Sequence, residues 1–232
     1  MVGNNNSVWT RVKEASPNCI QMRCVCHSLA LCVQSAFDVL PASIGFMLAE
    51  IPKWFRKSTI RRDSFKKLFD IMNPNDERMG TASPFQQAST TRWLARGKVL
   101  GNILANWEEL KAYFMCAEGS SGMDAKFKCR MIRDMLMDPM MHCYLHCITP
   151  IIQEFERVNS CFQATDADPQ ELEQVLLQHY QSLKMRVFGA DGEPRKAGSA
   201  DLGARFSQEV TNHLHHHPGD REKVQVRISP IL

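Results

Sequence analysis

The chain lacks any apolar run of the roughly 18 residues that a membrane-spanning helix needs. Gln34, Asp38 and Glu50 interrupt the best candidate, so no membrane partner is expected. Glycine-rich phosphate loops are missing as well: neither GxGxxG nor GxxxxGK(S/T) occurs, which removes the commonest nucleotide-binding fingerprints. Residues Met1 to Asn6 show neither a basic n-region nor an apolar h-region, and the expectation is a chain that is not secreted. A strong charge of either sign is also wanting. The net charge of +3 carries no message about nucleic acid unless the cations are clustered.

What is present is the material of a globular protein. At 232 residues, 44% hydrophobic and 23% charged, the chain has room for a substantial core. Nine cysteines is a high and odd number, and without a secretory start they read as free thiols in a reducing compartment.

Coarse patterning divides the chain. Ser7 to Ala15 reads as a short helix and Ser16-Pro17-Asn18 as a turn. Ile20 to Val25 alternates like a half-buried strand. From His27 to Val39, Leu29, Leu31, Cys32, Ala36, Phe37 and Leu40 make a broad apolar surface, which predicts a largely buried helix. Pro41 interrupts it, and a second apolar stretch, Ile44 to Ile51, is expected to stop at Pro52. Residues 72–87 hold loop punctuation in Asn73-Pro74-Asn75-Asp76, Gly80 and Ser83-Pro84.

The spacing of Trp93, Leu100, Ile103, Leu104, Trp107, Leu110 and Phe114 predicts one long helix, capped by Thr90 or Thr91. Further helices are expected at 125–137, at 140–162 with Pro150 inside, and after the Asp168-Pro169 start signal. Beyond Phe188, Gly189, Gly192, Pro194, Gly198, Gly203 and Pro218 scatter through polar residues, and 189–232 reads as a mostly disordered tail.

Three segments could carry chemistry. Cys24-x-x-His27 supplies two zinc-type ligands where a tetrahedral site wants four. The next such cluster is His142-Cys143-x-x-His146-Cys147, with the histidines one turn apart on a helix and no glutamate between them. For both clusters, packed cysteines and hydrogen-bonded histidines outweigh metal, and no metal or other cofactor is expected. The His213-x-His215-His216-His217 run reads as adventitious. The third segment is the richest. Lys53, Arg56, Lys57, Arg61, Arg62, Lys66 and Lys67 are interleaved with Trp54, Phe55, Phe65 and Phe69. Cations neutralise phosphates and exposed aromatics stack on bases; the rival reading is an amphipathic helix with a merely solvated charged side.

Several of these residues carry a family resemblance. Met1 to Trp9 and on to Asn18, followed by Arg23-Cys24-Val25-Cys26-His27-Ser28-Leu29-Ala30-Leu31, resembles the middle of a hAT-family transposase. There a helix precedes a strand carrying C-x-x-H and a helix opening H-x-L-x-L. Thr91-Arg92-Trp93-Leu94 resembles the family's Arg-Trp motif. Tyr144-Leu145, Pro150-Ile151-Ile152, Phe155 to Asn159 and Phe162-Gln163 resemble a later helix of hAT-derived proteins, so the likeness spans about residues 1–188.

The resemblance implies a mainly α chain. A short α–β remnant of a ribonuclease-H-like fold (1–40) would lead into an all-helical insertion domain (41–188) and then the disordered tail (189–232). It marks Cys24 and His27 as a structural motif of packing residues. It assigns DNA contact to Arg92 and Trp93, the tryptophan stacking on a flipped base; the basic segment adds Lys53, Arg56, Lys57, Arg61 and Arg62 as candidate contacts on its own residues. The family's Asp, Asp, Glu set, which binds two metals, has no counterpart in these residues, so the expectation is a non-enzymatic remnant. Its expected partners are DNA, proteins or a second copy, with the nucleus favoured over the cytoplasm. The alternative is a helical interaction scaffold with no nucleic-acid role.

Overall fold

A computed structural model describes residues 7–22, 24–74, 96–117, 122–189, 191–195 and 201–228, the side chains of 225–228 apart. Among these residues the chain is built of helices, and the isolated bridge between Phe188 and Pro194 is the only β pairing. No single described helix is long and apolar enough to cross a membrane.

Helix α1 (Val8–Ala15) starts on Ser7, whose hydroxyl accepts from the Thr10 amide at 3.2 Å, and it buries no residue. The strand expected next is not formed. Residues 20–22 and 24 are irregular, and Ile20 and Met22 are 83% and 90% exposed. A strand is stable only with a neighbour to satisfy its backbone, and none of the described residues supplies one. Helix α2 (Val25–Asp38) follows directly from Cys24. It buries only the stripe Leu29, Val33 and Phe37, packed on α8 (Pro139–Gln163), and leaves Leu31 and Cys32 exposed. The expected broad burial is therefore one row wide.

Helix α3 (Ala42–Arg56) continues through Pro52. An internal proline costs roughly 3 kcal/mol in a lost hydrogen bond and a clash. Beyond it lie Trp54 and Phe55, both buried, each stabilising by about 1.5–3 kcal/mol. The two aromatics outweigh the proline, and the helix runs on. Helix α4 (Thr59–Met72) begins on Ser58, which accepts from the Arg61 amide at 3.3 Å, and it buries Phe65 and Phe69.

The predicted long helix is two, α5 (Arg96–Ala105) and α6 (Trp107–Cys116). Asn106 separates them. Its backbone is non-helical, and its side-chain amide donates to the Asn102 carbonyl at 2.7 Å, competing with the helical ladder. The expected stripe still faces inward, with Leu100, Ile103, Trp107, Leu110 and Phe114 buried. Thr90, Thr91 and Trp93 lie outside the described residues.

Helix α7 (Met123–Met137) leads into α8, which spans Pro150 unbroken. Helix α9 (Pro169–Val187) starts as anticipated, with Asp168 Oδ1 accepting from the Gln170 amide at 2.9 Å. The region read as a disordered tail holds α10 (Ala204–His216), a short 3-10 turn (Pro218–Asp220) and α11 (Arg221–Ile228). Phe206 and Val224 are buried, and α10 packs along α8. Phe206, Val210 and Leu214 recur every fourth residue, a stripe too thin to stand out among its polar neighbours.

Two structural centres result. Helix α8 is the hub on which α2, α5, α7, α9 and α10 pack. The second centre is aromatic. Phe55 lies 5.0 Å from Phe65 and 5.1 Å from Tyr113 between ring centroids, and Phe65 also meets Phe69 and Tyr113. Trp54 adds a hydrogen bond from Nε1 to Tyr113 Oη at 3.3 Å. These interactions tie α3 and α4 to α6. Phe65→Ala should cost about 3–5 kcal/mol in denaturant unfolding; a cost under about 1 kcal/mol would show that the aromatic centre does not hold these helices together.

Candidate nucleic-acid interface

The aromatic centre decides what the basic segment can present. Trp54, Phe55, Phe65 and Phe69 all point into the core, at 5% exposure or less. They are unavailable for stacking on bases, and that part of the expectation is corrected. The period that drives the aromatics inward drives the cations out. Arg56, Lys57, Arg62, Lys66 and Lys67 are exposed on the outer side of α3, α4 and the turn between them. From residue 53 to 69 the sole acid is Asp63.

Not every cation of the segment is available. Lys53 Nζ lies 2.8 Å from Glu50 Oε1, and Lys128 of α7 lies 3.5 Å from the other carboxylate oxygen. The hydrogen bond from Lys53 holds the Glu50 carboxyl below its ordinary range against the opposing effect of burial, with the charges of Lys53 and Lys128 acting the same way. The Arg61 guanidinium lies 3.7 Å above the Trp54 ring and donates to the Trp54 carbonyl. Arg61 therefore works as a lid on the core, Lys53 pairs within α3, and Glu50 links α3 to Lys128 of α7.

The placement of charge on α4 runs against its own backbone. A helix N-terminus carries partial positive charge and favours acids; each cation there costs about 0.3–1 kcal/mol. The first turn of α4 nevertheless holds Arg61 and Arg62 and no acid, with Lys57 just before it. The last turn holds Asp70 and no base. Such an end gathers cationic side chains and backbone N–H groups at one corner, the combination that receives phosphate oxygens. Arg92 and Trp93 lie outside the described residues.

The remaining candidates separate cleanly. Among the described residues Cys24 and His27 are both exposed and no paired strand covers them, where packing was expected. Cys26 between them is the residue that turns inward, its Sγ 3.9 Å from the Asn159 carbonyl. Cys143 and Cys147 are buried core residues. Burial pushes the Cys143 thiol up to about 12 and the Cys147 thiol up to about 11, which keeps both protonated and unreactive.

His142 and His146 are half-buried and meet Nε2 to Nε2 at 3.2 Å. Glu209 of α10 faces them, its Oε2 3.5 Å from His142 Nδ1. Burial holds both imidazoles below the usual histidine range, aided at His142 by the neighbouring ring. Sequence reasoning missed Glu209 because it falls far down the chain, in the stretch read as disordered. The Phe206–Val210–Leu214 stripe was the signal that could have placed it on a helix.

Comparison of the chain with protein-family models, with curated proteins and with solved structures finds no match to any of them.

The Glu50 pairing gives a pH test. Its folded carboxyl titrates below the unfolded one, so the pairing stabilises above the ordinary glutamate value of about 4.3 and is lost as pH falls below it. Wild type should exceed Glu50→Gln in unfolding midpoint at neutral pH, with the gap closing under acid. A gap that is constant with pH would contradict the pairing.

Proposed function

We propose that this chain is a non-catalytic, hAT-transposase-like helical protein that binds the DNA backbone through the cationic corner of α3 and α4. The observation that carries the reading is the outward display of Arg56, Lys57, Arg62, Lys66 and Lys67 with Asp63 as the lone acid among them. One of the exposed cations, Arg62, sits where it opposes the dipole of α4, beside Arg61, whose guanidinium rests on the Trp54 ring. Stability alone would favour acids there. Phosphate oxygens would supply the missing negative charge.

The buried state of the aromatics shapes the kind of binding. Bonds from lysine and arginine to phosphates position a protein on a duplex without reading its sequence. Binding at this corner is thus electrostatic and sequence-tolerant. Base contact, if made by Arg92 and Trp93, rests on the resemblance alone. The order of the C-x-x-H, Arg-Trp and later helical motifs supports a transposase ancestry. The non-catalytic reading rests on the resemblance, whose Asp, Asp, Glu set has no counterpart in the residues that match.

The test is a salt titration of binding to a random-sequence duplex. Wild type should bind at low salt, with the logarithm of affinity falling linearly against that of salt. Lys57→Glu, Arg62→Glu and Lys66→Glu together should flatten the slope by about 0.9 for each phosphate no longer neutralised, leaving the unfolding midpoint near that of wild type. Absence of binding at low salt would favour the interaction-scaffold reading. Chelator-sensitive, Mg²⁺- or Mn²⁺-dependent nicking would overturn the non-catalytic one.

A further inference from the structure

We infer that His142 and His146 of α8 and Glu209 of α10 form a zinc-type metal site that fastens α10 to the hub of the fold. The donor atoms of the three side chains lie within 4.8 Å of one another. The two imidazole nitrogens, one helical turn apart, face each other at 3.2 Å. Two nitrogens bound to one tetrahedral zinc at about 2.0–2.1 Å stand about 3.4 Å apart, so the Nε2 pair has nearly the required bite, and Glu209, now 3.5 Å from His142 Nδ1, completes the set by turning its side chain towards Nε2. The rings are held there. Trp107 of α6 lies against His142 with centroids 4.7 Å apart and planes 32° from parallel.

The donor chemistry fits a borderline ion. Two imidazoles and one carboxylate suit zinc, and three protein ligands leave the fourth tetrahedral position for water. The electrostatic surroundings are mixed. Glu209 and Glu108 act on His142 to favour positive charge, while Lys111 acts on it, and Arg205 on His146, in the opposite sense. The Glu209 carboxylate brings the charge that the histidine pair lacks.

The site's architecture points to a fastening role. Helix α10 buries Phe206, but Val210 and Leu214 only in part. A metal bridging α8 to α10 adds a link that a thin apolar stripe does not supply, and binding free energy at such a site becomes folding free energy.

The test uses the full chain, stripped with a chelator and titrated with Zn²⁺. One equivalent should bind. At free zinc 100-fold above Kd, the ratio of folded to unfolded protein should rise about 100-fold, with α10 becoming resistant to limited proteolysis. Glu209 is partly exposed, so Glu209→Gln should fold and weaken binding at least about tenfold. His146→Ala should abolish the site, whereas His215→Ala/His216→Ala/His217→Ala should keep it. Co²⁺ in place of zinc should give tetrahedral d–d bands without a thiolate charge-transfer band. Binding that survives His146→Ala, that follows the His215–His217 run, or that shows thiolate ligation from Cys143 or Cys147 would overturn the assignment.

Discussion

The packing of Phe55 between Phe65 and Tyr113 is the constraint on which the rest of this structure depends. It carries α3 across Pro52, because stopping the helix there would strand two aromatic side chains in water. It also fixes the angle at which α4 returns, since Phe65 and Phe69 must reach the same cluster. Once the aromatics are committed inward, helical periodicity leaves the lysines and arginines of the segment no place but the outer face. The electrostatic surface is a consequence of the core.

That surface is costly to the isolated fold. Cations at the head of α4 and an acid at its tail oppose the helix dipole, and like charges gather on one corner. Proteins keep local conflicts of this kind at functional sites, where a ligand supplies what the chain withholds. At the hub, two imidazoles hydrogen-bonded through Nε2 and a carboxylate at Nδ1 of His142 form a polar link between α8 and α10.

Much of the helical framework was legible in the sequence. The cap at Asp168 stands where its residue type puts it, because a side-chain acceptor for orphan amides is a local property. The inward stripe of the 100–114 region was legible for the same reason. What was not legible depends on partners distant in sequence. The alternation at Ile20 to Val25 had the right residues for a strand, and the described residues offer it no partner. The split at Asn106 came from one side-chain amide competing for a carbonyl, which periodicity does not register. The aromatics of 53–69 looked equally suited to stacking and to packing until Tyr113 and Phe114 arrived from α6 to enclose them. Glu209 became a site residue only because α10, with its sparse stripe, docks on α8.

The central claim is that the outward cations of the α3–α4 corner meet the DNA backbone. Hydrogen exchange of the chain with and without a random-sequence duplex at low salt tests it most directly. Exchange should slow over residues 53–67, and added salt should reverse the effect. Slowing confined to α9 or α10, or none anywhere, would contradict it.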